Sequence, residues 1–291
     1  MAVAATESQS RSVAVQSIPW VPVACFAALV GTLYLPTIYA MAKEWFYLEE
    51  MGHGMFVPFI AGYIVWQQRE EILRQPIQPT WWGVPLMLLG FLQLLVGRLG
   101  ADFFVERTSL FVTVAGLIVT CCGVPVLRTL TFPFVICLFM IRIPLIIYSQ
   151  ITFPLQIFAS IVAERALSLL NIPVFRDGNI LDLASQRLSV VEACSGIRSL
   201  ISLMFLSLVY AYFFDPKKWM RLVLVVAAVP IAIVANAARV TITGIISEYN
   251  KQFSEGTYHT FEGWLIFMVA LAILVMAHQL INKVYSAVHE R

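Results

Sequence analysis

Trp219-Met220-Arg221-Leu222-Val223-Leu224-Val225-Val226-Ala227-Ala228-Val229-Pro230-Ile231-Ala232-Ile233-Val234-Ala235-Asn236-Ala237-Ala238-Arg239 carries no charge between its two arginines after Arg221. The 20 residues from Trp219 to Arg239 rise about 30 Å as a helix, the thickness of a bilayer's hydrocarbon core. A tryptophan beside Lys217 and Lys218 marks one edge, and an arginine marks the other. The segment reads as a spanning helix, and the rest of the chain repeats the pattern.

The 291 residues are 60% hydrophobic and 12% charged, with a mean hydropathy of +0.83. Soluble domains carry about a quarter charged residues, so a polytopic membrane protein is indicated. Eight spans are expected, over roughly 18–41, 55–67, 82–98, 108–126, 129–147, 196–214, 219–246 and 263–284. Trp20, Trp45, Trp66, Trp81, Trp82, Trp219 and Trp264 fall near their ends, as an aromatic belt does. The fold class is therefore all-α integral membrane, with one domain over 18–291. Residues 1–17 read as a polar disordered tail on the cytoplasmic side, without the basic start and apolar core of a signal peptide.

Residues 148–194 are the one long stretch expected outside the membrane, an extracytoplasmic insertion before the sixth span. Ile151–Leu170 reads as amphipathic, lying in the interface or forming a short helix hairpin. Pro173–Leu181 reads as two short strands around Asp177-Gly178, a β-hairpin, and Leu188–Glu192 as a third strand leading to Cys194.

Sidedness follows from Lys and Arg in short loops. Arg69, Arg74, Arg128, Lys217, Lys218 and Arg221 gather on one face, assigned to the cytoplasm. The opposite face carries Cys194 at the start of the sixth span, Arg239 toward the outer end of the seventh and His259 just before the eighth. The lysines and arginines form no basic stripe, so nucleic acid is not indicated as a partner. Of the five cysteines, Cys25, Cys121, Cys122 and Cys137 lie in apolar runs, and the spacing suits neither disulfides nor zinc. No metal or cofactor is expected.

Each polar residue has a bland reading and a chemical one. Cys194 heads a helix in Glu192-Ala193-Cys194-Ser195-Gly196-Ile197-Arg198, where the helix N-terminus and Arg198, four residues on, favour a thiolate. Its bland alternative is a small buried cysteine under a loop. Arg239 in a spanning helix is costly, about 2.5–3.5 kcal/mol at a helix centre, and by default functional. The role that fits is oxyanion stabilisation, with Asn236 one turn back to orient it; the alternative is an interfacial anchor. His259 can take a proton from a thiol and return it to a leaving amine, or be a solvated loop histidine. His53, in Gly52-His53-Gly54, can bind substrate, support the site or cap a loop. Arg142 can bind a lipid headgroup or an acidic substrate group, or snorkel. Ser195 joins Arg198, Asn236, His53 and Arg142 as supporting or substrate-binding residues.

Ala193-Cys194-Ser195-Gly196-Ile197-Arg198-Ser199 resembles the cysteine motif of the exosortase/archaeosortase family. Asn236-Ala237-Ala238-Arg239 is similar to its arginine motif, and His259, four residues before Gly263, matches the histidine of the bacterial exosortase branch. His53-Gly54 followed by Pro58, Tyr63, Trp66 and Arg69 looks like its amino-terminal signature. The resemblance covers roughly residues 45–285. It implies a membrane cysteine protease-transpeptidase of the bacterial inner membrane, acting at the extracytoplasmic face. Its partners would be exported proteins ending in a sorting tail: a short motif such as Pro-Glu-Pro, a span and a basic cluster. By position, Cys194 would be the nucleophile, Arg239 the transition-state stabiliser and His259 the acid/base. A thioester would be resolved by a lipid or glycan acceptor, or by water. The alternatives are a transporter with Arg239 and Arg142 lining an anion path, and a non-catalytic assembly component for exported polysaccharide.

Overall fold

The computed structural model describes residues 20–190, 196–249 and 256–289. It is mostly helical. Eleven helices and three strands are assigned among the described residues. The helices are α1 (Trp20–Tyr47), α2 (Val57–Gln67), α3 (Arg69–Arg74), α4 (Gly83–Leu99), α5 (Phe103–Cys121), α6 (Val124–Thr129), α7 (Thr131–Cys137), α8 (Leu145–Leu169), α9 (Gly196–Phe214), α10 (Lys218–Tyr249) and α11 (Gly256–His289). The strands β1 (Val174–Asp177), β2 (Ile180–Leu183) and β3 (Arg187–Ser189) lie between α8 and α9. Among the described residues, five helices are long and apolar enough to cross a membrane: α1, α5, α8, α10 and, over Tyr258–Val288, α11. Shorter apolar helices cover Gly83–Leu99, Thr131–Met140 and Arg198–Phe214.

Two expectations are corrected. Residues 129–147 are not one helix. They divide into the end of α6, α7, a 3-10 turn at Leu138–Met140 and an irregular stretch before α8. Pro144, at the N-cap of α8, restricts the residue before it to extended conformations, so the chain cannot run helically through that point. Conversely, Leu145–Leu169 is a single 25-residue helix rather than a hairpin. Its charged Glu164 is taken up by Arg176 of β1, with Nε 2.7 Å from Oε2. Pro154 lies within this helix.

The chain divides into two compact units. Residues 20–40 and 58–138 form the first. Its centre is the α4–α5 hairpin, in which Gly83, Gly90 and Gly97 recur every seven residues on one face of α4. A Cβ at these positions would run into Thr120, Thr113 and Glu106 of α5 respectively. Where lipid tails are as apolar as leucine, close backbone approach supplies the association that hydrophobic exclusion does not. Asp102 caps α5 by accepting from the N–H groups of Phe104 and Val105 at 2.9 and 3.0 Å.

Residues 41–57 and 139–289 make up the second unit. Two core clusters of this unit lie among the described residues. Leu200, Leu203 and Ala211 of α9 meet Met220, Leu224, Ala228 and Ala232 of α10, and Ala270 and Leu274 of α11. The inward stripe of α10 recurs every three or four residues through Asn236, Val240, Thr243 and Ser247, the period of one helix face. The other cluster joins α8, the sheet and α10: Ala159, Ala163, Leu167, Leu181, Leu183, Leu188, Val190, Ala237 and Val240. The antiparallel sheet has the order β1-β2-β3, with Asp177 opposite Ile180. Gly178 turns that hairpin at φ +62°, as the sequence reading expects of Asp177-Gly178, and the positive φ suits a residue without a Cβ.

Candidate functional site

Arg239 lies on α10 between Ala237 and Val240, which face the sheet cluster, and three residues after the buried Asn236. His259 lies in the first turns of α11. Arg239 Nη2 stands 3.0 Å from His259 Nε2. A guanidinium can only donate, so Nε2 accepts and the ring proton sits on Nδ1. Nδ1 is 3.5 Å from Glu262 Oε2, one turn further along the same helix. The Thr243 hydroxyl of α10 reaches both Glu262 oxygens, at 3.0 and 3.1 Å. The guanidinium–imidazole bond and the hydroxyl–carboxylate bonds thus stand side by side across two helices, with Glu262 within ion-pair range of His259 Nδ1. The side chains of His259 and Glu262 are 18% and 10% exposed, where charges interact more strongly than in open water.

Gly263 makes this closeness possible. A Cβ there would lie 2.7 Å from Arg239 Cζ and 2.8 Å from Nη2. The guanidinium therefore occupies the space that a side chain on α11 would take. Arg239 Nε is buried and makes no hydrogen bond among the described residues. An unpaired buried donor on a cation is expensive, and an anion or oxyanion would satisfy it. A small pocket of about 10 Å3, about the room one water needs, is lined by Ser199, Asn236, Arg239 and Gly263.

Cys194 and Ser195 lie outside the described residues, and both flanks of their segment are described. Val190, four residues before Cys194, is fully buried in the cluster that contains Ala237 and Val240. Its N–H donates to the Asn179 carbonyl at 3.0 Å. Ser199, five residues after Cys194 in the first turns of α9, lines the pocket beside Arg239. The chain thus enters and leaves the cysteine segment beside the Arg239 turn.

The other expected residues fall into separate groups. His53 sits in the 3-10 helix Glu49–Met55. Its Nε2 donates to the Phe139 carbonyl at 3.0 Å, leaving Nδ1 to accept from Ser202 Oγ of α9 at 3.5 Å. Burial pushes the His53 imidazole below its ordinary value of 6.5, partly offset by the carbonyl bond. These contacts join the 3-10 segment to α9 and none of them is to Arg239 or His259. Gly54 beside it accommodates the Trp45 indole, and Trp45 Nε1 donates to the Met140 carbonyl at 3.1 Å. Arg142 and Arg198 both lie within electrostatic reach of the Tyr148 hydroxyl, which donates to Glu50 Oε1 at 2.8 Å. Glu50 and Tyr148 are additions to the residues singled out from sequence, as are Glu262, Thr243 and Gly263. Among the described residues, no group of three or more His, Cys, Asp and Glu could hold a metal ion.

The chain was compared with known families. The family model described as transmembrane exosortase matches residues 45–276, most of the chain and all of the residues discussed here. Comparisons with curated proteins and with solved structures give no match.

Proposed function

We propose a reaction for a chain that belongs to the transmembrane exosortase family: cleavage of the C-terminal sorting tail of exported proteins through a thioester on Cys194, followed by transfer to an acceptor. The observation that carries this reading is the Arg239–His259 contact, with Val190 and Ser199 seated at the same turn of α10 on either side of the cysteine segment.

In this reading the Cys194 thiolate attacks the scissile carbonyl. Arg239, through the buried Nε that has no hydrogen bond among the described residues, and backbone N–H groups at the start of α9 hold the oxyanion. The tetrahedral species collapses, the C–N bond breaks, and His259 gives the thiol's former proton to the departing amine. Glu262 keeps the ring proton on Nδ1 and offsets the charge on the imidazole when it is doubly protonated. An amine or hydroxyl on a lipid or glycan then attacks the thioester and frees the thiol. Water in its place makes the outcome hydrolysis.

The substrate's apolar tail needs a lane beside the site. A groove of about 330 Å3 between α8 and α10, lined by Phe158, Val162, Val234, Ala237, Ala238 and Thr241, is apolar and runs along the stretch of α10 that bears Arg239. We assign it to the tail's spanning segment. The lysines and arginines at 217, 218 and 221 support a reading in which the opposite end of α10, and so the site, faces the extracytoplasmic side of an inner membrane.

The test is a cleavage assay in membranes. A reporter with a sorting tail is co-expressed with the wild-type chain, Cys194→Ala or Cys194→Ser. Loss of processing at normal protein levels supports the cysteine mechanism, and an anchored product distinguishes transfer from release. Processing that persists in Cys194→Ala rules the mechanism out.

A further inference from the structure

Asp215, His278 and Asn282 form a second polar cluster, remote from Arg239 and His259. Asp215 lies in the short turn between α9 and α10 and is 3% exposed; His278, on α11, is 5% exposed. Asp215 Oδ2 accepts from His278 Nε2 at 3.0 Å and from Asn282 Nδ2 at 2.9 Å. Its Oδ1 accepts from the Lys217 N–H at 2.7 Å. Lys217 Nζ donates to Asn282 Oδ1 at 2.9 Å and lies 4.4 Å from the centre of the Tyr285 ring. Tyr210 of α9 closes the cluster at His278 Nδ1, 3.0 Å away. Burial alone would raise the Asp215 carboxyl; the bonds from His278, Asn282 and Lys217, with the Lys217 charge, outweigh it and hold the group below its ordinary value.

We propose that this cluster sets the axial register of α11 against α9 and α10, and so holds His259 opposite Arg239 at the far end of the helix. The inward face of α11 runs Ile266, Ala270, Leu274, His278, one residue every four. The first three are apolar; Ala270 and Leu274 share a cluster with Ala228 and Ala232 of α10, and Ile266 lines a small pocket with Ala232. A slip of one turn, about 5.4 Å, exchanges one apolar contact for another. In lipid such contacts discriminate poorly, and buried polar groups are the best-attested means of fixing register. His278 is where the stripe turns polar, and only one register pairs it with Asp215.

The distances along the helices agree. His259 to His278 is 19 residues, a rise of about 28 Å. Lys218 to Arg239 is 21 residues, a rise of about 32 Å. The two polar clusters therefore sit at opposite ends of one antiparallel helix pair. The division of labour follows from the chemistry. The contact between His259 and Arg239 must open whenever the imidazole exchanges a proton with the thiol or the leaving group. At that end the Thr243–Glu262 bonds are the remaining polar tie between α10 and α11 while the contact is open, and Asp215 adds one from a place the reaction does not touch. This last consequence rests on the proposed function, while the register itself does not.

Cross-linking reads the register without catalysis. In a full-length chain with Cys25, Cys121, Cys122, Cys137 and Cys194 replaced by serine, Ala232→Cys is paired in turn with Ile266→Cys, Ala270→Cys and Leu274→Cys. Each pair is oxidised in membranes. With Asp215 present, the adduct forms at position 270 with a preference of about tenfold; with Asp215→Ala or His278→Ala the preference falls to about threefold or less, while Asp215→Asn retains most of it. An unchanged preference in both alanine variants overturns the proposal. Should those chains fail to accumulate, Asn282→Ala, which removes one donor and the Lys217 link, is read the same way, and an unchanged preference there also overturns it. In the chain with native cysteines, Asp215→Ala lowers kcat for tail processing and leaves KM unchanged. Loss of register with normal processing would sink the catalytic consequence alone.

Discussion

Arg239 donates to His259 Nε2 across 3.0 Å, from one helix to another 20 residues later in the chain. The bond ties a fixed cation to the ring nitrogen that carries no proton. It leaves Nδ1–H facing Glu262. A guanidinium offers several donors in a rigid fork and an ammonium offers a point charge. Arg239→Lys should therefore keep the positive charge and lose the geometry, lowering turnover in the reporter assay by about 10²–10³-fold, the usual cost of one oxyanion donor. His259→Ala should lose at least as much, and the double variant little more than the worse single one, because the two act as a unit.

Gly263→Ala tests whether the guanidinium occupies the space of a missing side chain. The added methyl meets Arg239 Cζ at 2.7 Å, the far end of a flexible chain rather than backbone. The helices should keep their places while the guanidinium is pushed off His259. Processing is expected to fall about tenfold or more with the unfolding midpoint in detergent within a few degrees of wild type. A large drop in the midpoint with normal activity per folded molecule would contradict this.

Glu262 is held by the Thr243 hydroxyl and stands 3.5 Å from His259 Nδ1. Thr243→Val keeps shape and removes the donor. Its expected effect is a modest loss in kcat, about three- to tenfold, with KM for the tail unchanged, and Glu262→Gln should cost more. Equal processing in Glu262→Gln and wild type would leave the carboxylate without a part in the reaction.

His53 predicts a pH dependence of stability. Its folded-state value is depressed below 6.5 by burial, so below pH 6.5 the unfolded chain binds more protons than the folded one. The stability that neutral His53 contributes is present above pH 6.5 and is lost as the pH falls through its lower folded value. Thermal unfolding of wild type between pH 7.5 and pH 5 should show a falling midpoint, and His53→Gln, which keeps a donor for the Phe139 carbonyl, should flatten that fall.

The groove between α8 and α10 predicts a binding defect. Ala238 lines it and is exposed, so Ala238→Trp fills it without disturbing the core. KM for a tail-bearing reporter should rise several-fold while kcat is nearly kept, since uniform binding is what the groove supplies. An unchanged KM would remove the groove from the substrate's path.

Arg239 and His259 were legible in the sequence because a charge at a membrane edge is conspicuous and spacing alone brought both to one face. Glu262 and Thr243 were not. A glutamate beside a helix start reads as a solvated charge, and a threonine inside an apolar run reads as packing. The available signal was that Glu262 lies three residues after His259, on one helical face, next to a glycine. The hairpin at Asp177-Gly178 was legible from its turn residues. The long helix α8 was not, because Pro154, Glu164 and Arg165 interrupt the apolar pattern, and the partner of Glu164 lies in a strand that the local sequence cannot announce. The break between α7 and α8 did have a signal, Pro144, which hydropathy averaging passes over.

The glycines at 83, 90 and 97 bear on how this chain can vary. Each stands against α5 where no side chain fits. A substitution elsewhere on α4 leaves the three in line. Adding or removing one residue within α4 turns every glycine beyond it by about 100°, off the partner helix, and brings a larger neighbour, such as Leu89 or Phe91 at Gly90 and Val96 or Arg98 at Gly97, onto the seam. Point changes on the outer face are thus tolerable while changes in length are not, so in lineages descended from this chain α4 should drift in composition while keeping its count of residues between Gly83 and Gly97.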